Sequence, residues 1–195
     1  MDTTEEKSIN SRFIENMIEH AFISEIVQEA WINNKGKLEI LRAEVDDAGY
    51  DIVLSWKNKN RYIQLKTSEK DGTTAKQKLN IALAHKENGC IVWIIRETND
   101  KTKRFKFKYL FFGSEFGQPF PDVEKYKTAK HPRRNAKGER KERPNVKEIP
   151  KDAFTKCNSC SKLFTALFNE KIQKTLTGQR GTVKRMLVER QYAKT

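Results

Sequence analysis

Apolar residues recur at helical spacing near the start of the chain and give way to short, strand-like runs further on. The first pattern predicts a helix over Phe13–Trp31 with Ser11 as its N-cap. Its apolar positions form one stripe, made of Ile14, Ile18, Phe22, Ile26 and Ala30. A helix with one apolar stripe packs that stripe against a sheet or another helix, so this segment is expected to cover a core.

The middle of the chain predicts an alternation of strands with one helix. Strands are predicted at Lys37–Ala43, Gly49–Leu54, Arg61–Ser68, Cys90–Ile95 and Arg104–Phe112. Asp46 and Asp47 are expected in a turn before the second strand, with Gly49 allowing the bend. Thr73–Lys86 predicts a helix with Leu79, Ala82 and Leu83 as a narrow core stripe. The fully apolar run at Cys90–Ile95 is typical of a strand buried on both faces.

The last part of the chain is more irregular and more basic. Gly113–Pro150 is rich in Gly, Pro, Lys and Arg, and predicts loops. Phe154–Phe168 predicts a final packing helix, and the basic residues beyond Thr175 are expected to be partly disordered. We therefore expect a core over residues 1–112 and a loop-rich extension over residues 113–195 within the same domain.

Two neighbouring strands carry the candidate chemistry. Asp51 begins one strand, and Gln64 and Lys66 lie two residues apart on the next. Alternate side chains share a face of a strand, so Gln64 and Lys66 are expected together, with Asp51 beside them if the strands pair. An acid, an amide oxygen and an ammonium group in one place suit a divalent-metal site for phosphodiester hydrolysis.

The ligands of such a site follow from the preferences of Mg²⁺ or Mn²⁺ for oxygen. Asp51 offers a carboxylate, Gln64 an amide oxygen and Leu65 its main-chain carbonyl, while Lys66 would position the attacking water or offset charge in the transition state. The alternative from these residues alone is an edge hairpin with a solvated Lys and Gln, and the two readings are equally supported.

The segment from Glu15 to Ile95 resembles the PD-(D/E)XK nuclease superfamily, also called the restriction-endonuclease-like fold. The likeness is to members with Gln in the acid position, through Gly49-Tyr50-Asp51 and Gln64-Leu65-Lys66. Tyr50 stands where the motif usually has Pro. The resemblance implies an α/β fold with an α-β-β-β-α-β core, a central mixed sheet flanked by helices and a basic C-terminal extension. It also implies Asp51, Gln64 and Lys66 as catalytic residues.

The same resemblance implies an acid on the first helix. That helix contains Glu15, Glu19, Glu25 and Glu29. Glu19 is favoured as a catalytic and metal-binding residue because Phe22 follows it in an E-x-x-F pattern similar to that of the family. Glu25, on the side of Ile14, Ile18 and Ala21, is the second candidate. For any single one of these acids a solvated helix face is the more common role.

Charge is distributed unevenly along the 195 residues, whose formal net charge is +13. Residues 1–30 are acidic, whereas residues 121–150 and 171–195 are basic. A large clustered positive charge favours nucleic acid as the partner. The candidate contacts are Lys76, Lys78, Lys130, Arg133, Arg134 and Lys137. Solvated surface loops are the alternative for the stretch from Lys130 to Lys137.

Other sites are less well supported. Cys157 and Cys160 have zinc-like spacing, but Cys90 is the remaining cysteine of the three in the chain and a tetrahedral zinc site takes four ligands. Packing is therefore the expected role of the pair. Three cysteines, no signal-like N-terminus and no long apolar run predict a cytoplasmic protein that does not enter a membrane.

The sequence thus predicts a Mg²⁺- or Mn²⁺-dependent endonuclease that acts on DNA, with bacterial restriction or anti-phage defence implied by the resemblance. A catalytically impaired binding module of the same fold, a nuclease that acts on RNA, and a protein-assembly subunit remain as alternatives. A homodimer is also left open.

Overall fold

The computed structural model describes residues 4–34, 36–43 and 48–170, with side chains from residue 10 onward. The helices are α1 (Thr4–Gln28), which continues into a π-helical turn (Glu29–Asn33), α2 (Ile81–Ala84) and α3 (Cys160–Phe168). The strands are β1 (Leu38–Arg42), β2 (Ile52–Trp56), β3 (Lys59–Glu69), β4 (Lys76–Asn80), β5 (Gly89–Thr98), β6 (Phe105–Gly113), β7 (Lys127–Lys130), β8 (Glu142–Pro150) and β9 (Thr155–Cys157). A short 3₁₀ turn (Lys151–Ala153) precedes β9.

Within the described residues, a mixed main sheet has the order β1-β2-β3-β5-β6-β9. Among the strand pairs of the described residues, β3 and β5 alone run parallel, from the pair Tyr62↔Gly89 to the pair Glu69↔Arg96. The other neighbours are antiparallel. The α/β class and the mixed central sheet are as predicted, and so are the strands at β1, β2, β3, β5 and β6.

The first helix is longer than its apolar pattern indicates. It begins at Thr4, so Ser11 lies inside the helix and the predicted N-cap is wrong. The predicted stripe is confirmed, because Ile18, Phe22, Ile26 and Ala30 are at most 1% exposed. The stripe packs on one face of the main sheet together with Trp56, Tyr109 and Phe164. The sequence from Thr4 to Arg12 is mostly polar, so no apolar periodicity predicts the extra turns.

A second sheet, with the order β4-β8-β7, replaces the helix expected at Thr73–Lys86. Only the four-residue α2, N-capped by the Asn80 side chain, is helical there. Leu79 on β4 and Ile149 on β8 are fully buried against the other face of the main sheet, beside Trp93. The second sheet therefore covers the face opposite α1, and it supplies the apolar cover that a helix was predicted to give.

The segment after Phe112 is built into the same two cores. β9 adds to the main sheet beside β6, and Phe154 packs under the second sheet. Leu163, Phe164, Leu167 and Phe168 of α3 are fully buried with the α1 stripe. The predicted final helix is confirmed over Cys160–Phe168, but its first part is turn and strand.

Buried Arg61 on β3 holds the end of α3. Its guanidinium donates to the carbonyl oxygens of Leu167 at 2.8 Å, Ala166 at 3.2 Å and Ser114 at 2.6 Å. Lys59, two residues earlier, donates to the Phe168 carbonyl at 2.8 Å. The contacts with Ala166, Leu167 and Phe168 satisfy carbonyls that a helix leaves without partners at its C-terminus, and they place positive charge where the helix dipole favours it.

In the described part of the chain, no helix combines the length and the apolar character needed to cross a membrane. The predicted turn residues Asp46 and Asp47, and the basic segment beyond Thr175, lie outside the described residues.

Candidate active site and nucleic-acid interface

Asp51 is held at the edge of β3 by two hydrogen bonds. Its backbone N–H donates to the Ile63 carbonyl at 2.9 Å, and its Oδ2 accepts the Leu65 N–H at 2.6 Å. Two residues earlier, Gly49 has φ of +76°, and a Cβ at this position would lie 3.1 Å from Asn80 Cβ and from the Leu83 nitrogen, so the chain leading to Asp51 requires glycine here. The Asp51 carboxylate thus accepts the hydrogen bond that a backbone carbonyl of a longer β2 would accept from the Leu65 N–H.

A cleft of about 440 Å³ opens at this edge and is called the Asp51 cleft below. Its lining residues are Glu15, Asn16, Glu19, Asp51, Leu65, Lys66, Thr67, Gln77 and Ile94. Leu65 and Lys66 point to opposite faces of β3, yet both reach the cleft because β2 starts only at Ile52. Beyond that point β3 has an uncovered edge that is accessible from both faces.

The structure therefore brings Asp51, Lys66, Leu65 and Glu19 together. Glu19 reaches the cleft from α1, and its carboxylate forms an ion pair with Arg42 of β1 at 3.0 Å. Glu15, one turn earlier on α1, lines the cleft as well. Glu15 thus lines the cleft beside the predicted Glu19, as expected for residues four apart on a helix.

Glu25 lies elsewhere. Its carboxylate accepts a hydrogen bond from the buried Tyr109 hydroxyl of β6. Burial raises the pKa of Tyr109, and the hydrogen bond and charge of Glu25 raise it further. The second candidate acid is therefore part of the contact between α1 and the sheet. Glu29 is also structural, since Asn33 and Asn34 donate to its carboxylate in the π-helical turn.

Gln64 is 6% exposed and is not part of the cleft lining. Its Oε1 is buried and has no hydrogen-bond partner among the described residues. An unpaired buried amide oxygen is costly and therefore uncommon in a native fold. Gln64 shares a face of β3 with Lys66, as predicted, but its place as a ligand beside Asp51 stays a prediction.

Gln77 is a cleft residue that sequence reasoning missed. It lies on β4, and its two neighbours Lys76 and Lys78 point to the other face of that strand. The segment was predicted as a helix, in which this alternation has no meaning. As a strand, this segment places Lys76 and Lys78 on the outer face, and Gln77 and Leu79 on the inner face.

Lysines on the outer face of the second sheet form a basic surface, called the lysine groove below. It is lined by Lys76, Lys78, Lys127, Thr128, Lys130, His131, Pro132, Arg140 and Glu148. Lys78 and Lys127 lie directly opposite Glu148 from either side, and Lys76 also forms an ion pair with Glu148. One acid thus stands among several cations, so the groove is positive.

A register shift between Thr128 and Ala129 brings Lys130 into this groove. Lys127 and Lys130 are three apart, and in a regular strand they would face opposite sides. Between the pairs Thr128↔Lys147 and Ala129↔Arg143, residues 144–146 of β8 have no partner on β7. The alternation of faces is interrupted at this irregularity, so that Ala129 is buried and Lys130 is exposed. Three of the predicted nucleic-acid contacts, Lys76, Lys78 and Lys130, therefore line one surface, and Lys127 and Arg140 join them.

The other three predicted contacts lie in the β7–β8 loop. Arg133, Arg134 and Lys137 are exposed there, and Arg134 donates to the Gly138 carbonyl at 3.0 Å within the loop. They extend the basic surface away from the sheet and are not among the groove lining.

The cysteines show the packing role that was expected. Cys90 and Cys157 are buried, and Cys160 is half-buried. Burial raises the pKa of Cys90 to about 12 and raises the pKa values of Cys157 and Cys160. These thiols are therefore neutral near pH 7, whereas the deprotonated thiolate is the form that binds metal or reacts. Among the described residues, no three His, Cys, Asp or Glu side chains cluster so that they could hold a metal ion.

Comparisons of the chain with protein-family models, with curated proteins and with solved structures gave no match.

Proposed function

We propose that this protein is a metal-dependent nuclease that hydrolyses DNA phosphodiester bonds. The observation that carries the proposal is the assembly of Asp51, Lys66 and Glu19 in one cleft at the edge of β3. These residue types supply metal-binding carboxylates and an ammonium group, which is the combination that phosphodiester hydrolysis requires. The resemblance of the Asp51 and Gln64-Leu65-Lys66 motifs to PD-(D/E)XK nucleases supports the same reaction.

The donor chemistry fits Mg²⁺ or Mn²⁺. Asp51 and Glu19 offer carboxylates, Leu65 a main-chain carbonyl, and Gln64 an amide oxygen that lacks a partner in the described fold. With few protein ligands, waters and substrate phosphate oxygens complete the shell that Mg²⁺ prefers. When bound, the ion supplies Lewis-acid stabilisation of the phosphoryl charge and lowers the pKa of a water molecule.

The chain's own residues divide the remaining work. The Lys66 ammonium orients the attacking water and offsets negative charge that develops on the phosphate. The Leu65 N–H fixes the Asp51 carboxylate, so that this ligand needs no reordering when substrate arrives. Gln77, from the opposite wall of the cleft, contacts the substrate strand through its amide.

The lysine groove supports nucleic acid as the substrate. Lys76, Lys78, Lys127, Lys130 and Arg140 are positioned on one sheet surface, and β4 separates that surface from the cleft. Cations in fixed positions bind phosphates without regard to sequence and release counterions. DNA is proposed over RNA on the resemblance, which also suggests bacterial restriction or anti-phage defence as the setting.

A cleavage assay tests the proposal directly. Supercoiled plasmid is incubated with the protein in Mg²⁺, in Mn²⁺ and in chelator, and a structured RNA is tested in parallel. Nicked or linear DNA only in the presence of metal is the expected result. Cleavage of RNA alone would move the proposal to the RNA-directed nuclease.

A second candidate is a catalytically impaired nucleic-acid-binding module of the same fold. Two observations favour it: an amide at position 64 where an acid is usual, and the ion pair that already occupies Glu19. Such a module would shift DNA mobility in chelator and leave plasmid intact in both metals. A protein-assembly subunit would do neither.

A further inference from the structure

A second polar cavity lies at the end of the second sheet, away from the Asp51 cleft. It measures about 560 Å³. It is lined by Asn80, Ile81, Ala82, His85, His131, Arg143, Pro144, Asn145 and Val146, and is called the His85–Arg143 pocket below. Two of the three histidines, which lie 46 positions apart in the chain, therefore share one cavity because β4 and β7 flank β8.

Arg143 is the one formally charged residue in the described lining of this pocket, so the formal charge of the lining is positive. Arg143 is half-buried, and it forms no ion pair with any acid in the described ranges. The two buried cations of the described fold have partners: Arg61 contacts three carbonyl oxygens, and Lys147 pairs with Glu124 at 2.8 Å. Half-buried Arg143 resembles Lys66 of the Asp51 cleft, which also lacks an ion pair among the described residues. A guanidinium taken partly out of water without a counter-charge favours an anionic ligand.

The pocket also joins the lysine groove. His131 lines both, and the pocket therefore continues the basic surface past the end of β7. Ile81, Pro144 and Val146 give it an apolar wall next to the polar groups. A nucleotide joins a phosphate to a flat aromatic base, whose faces suit such an apolar wall. The pocket volume lies in the range of ~300–1,000 Å³ typical of small-ligand sites.

We propose that the His85–Arg143 pocket binds a phosphate group of a nucleic acid, with the attached nucleotide against Ile81 and Pro144. Arg143 donates to the phosphate oxygens, and His85, His131 and Asn145 supply further donors. The site deepens the proposed nuclease function by adding a phosphate anchor outside the cleft. The phosphate is either an internal phosphodiester or a terminal phosphate, and both present negatively charged non-bridging oxygens.

Binding of the full-length protein in chelator tests this inference without cleavage. A labelled single-stranded oligonucleotide is titrated against Arg143→Ala, against Arg143→Lys, and against Arg104→Ala as a matched control in the β5–β6 turn. Arg143→Ala is expected to weaken binding roughly tenfold, the size expected for one charge-assisted hydrogen bond. Arg143→Lys should recover part of the loss, and Arg104→Ala should bind as the parent protein does.

Two further measurements keep the test independent of folding. Asn145 is exposed, so Asn145→Asp puts a carboxylate into the pocket without disturbing the core; weaker binding is expected, with Asn60→Asp as control. In the parent protein, inorganic phosphate should shift the imidazole NMR signals of His85 and His131 and leave those of His20 in place. A stronger preference for 5′-phosphorylated over 5′-hydroxyl oligonucleotides would identify a terminal phosphate as the ligand, and equal binding an internal one.

Normal affinity in Arg143→Ala together with unmoved histidine signals would overturn the inference. That result is separate from the fate of the nuclease proposal, since plasmid cleavage can succeed while Arg143 variants bind normally. Conversely, phosphate binding at this pocket would stand even if the protein left plasmid intact in both metals.

Discussion

The Asp51 cleft and the lysine groove differ in how the chain assembles them. Asp51, Leu65 and Lys66 come from one hairpin, and a two-residue turn at Lys57 and Asn58, both with positive φ, sets its register. The groove joins β4 to β8 and β7, which lie some fifty to seventy positions further along the chain. Local pairing thus fixes the hairpin part of the cleft, to which α1 and β4 add further lining residues, whereas the groove exists only once distant strands have met.

The two regions also differ in the work proposed for them. The cleft contains carboxylates and a single ammonium group, while the groove has one acid among several cations. Changes in the cleft should therefore act on the rate of cleavage, and changes in the groove on affinity and its salt dependence. Cleft variants that mainly lose affinity, or groove variants that mainly lose cleavage rate, would contradict this difference between the two regions.

The largest effect is expected from Asp51→Ala. Removing the carboxylate should lower the cleavage rate by about a thousandfold or more, since metal-ion stabilisation contributes several kcal/mol to the transition state. DNA binding in chelator should be unchanged or tighter, because one negative charge near the phosphates is lost. Single-turnover cleavage and anisotropy measure the two. Asp152→Ala, in the exposed 3₁₀ turn, is the control. Full activity of Asp51→Ala would contradict the assignment of Asp51 as a metal ligand.

Lys66→Ala should follow closely. Loss of the ammonium is expected to slow cleavage roughly 10²–10³-fold, as for removal of one transition-state donor, and to weaken binding only slightly. Lys108→Ala on β6 makes the same change at an exposed position away from the cleft. A loss of affinity as large as the loss of rate would mean that Lys66 binds DNA and does not act in catalysis.

The helix acids offer a matched pair. Glu19→Gln should raise the metal concentration needed for half-maximal cleavage, whereas Glu25→Gln should leave that concentration unchanged. Glu25→Gln should instead lower the free energy of unfolding by about 1–2 kcal/mol, because a buried hydrogen bond to Tyr109 is weakened. Metal titration and thermal melts separate the two. The reverse pattern would assign the site to Glu25.

The smallest effect on rate is expected from the basic surface. The pair Lys76→Ala and Lys78→Ala should flatten the salt dependence of DNA binding by up to about 0.9 in the log–log slope per lost phosphate contact. The triple change at Arg133, Arg134 and Lys137 should do the same from the β7–β8 loop. Cleavage at saturating DNA should change little in both. An unchanged slope in the triple variant would mean that the β7–β8 loop is solvated and does not contact DNA phosphates.

These contrasts explain what the sequence could and could not predict. The β2–β3 hairpin, the buried β5 and the α1 stripe follow from local periodicity, so they were predicted with nearly the observed bounds. Lys76–Asn80 carries little apolar signal, and β8 contains Pro144 and ends at Pro150, which argued for a loop. The irregular register beside Pro144 and the position of Pro150 at the strand end remove that objection.

The same reasoning applies to the site residues. Strand alternation placed Gln64 and Lys66 on one face, but it could not show that the Gln64 side chain would be covered. Helical spacing left Glu19 and Glu25 as rivals, and only the contact with Tyr109 on β6 separated them. Gln77 and Arg143 were missed because the strand pairing that gives them a role is a long-range event.

The position of β4 in the chain has a consequence for biosynthesis. β4 is an outer strand of the second sheet in the described fold and pairs on one side with β8, so during translation that side stays open until residues 142–150 have left the ribosome. Until then Leu79 and the Trp93 face of the sheet lack their cover, and an open strand edge with apolar surface is prone to aggregation. Chains that stop before residue 142 are therefore expected to associate through β4, whereas the completed chain closes that edge with its own β8.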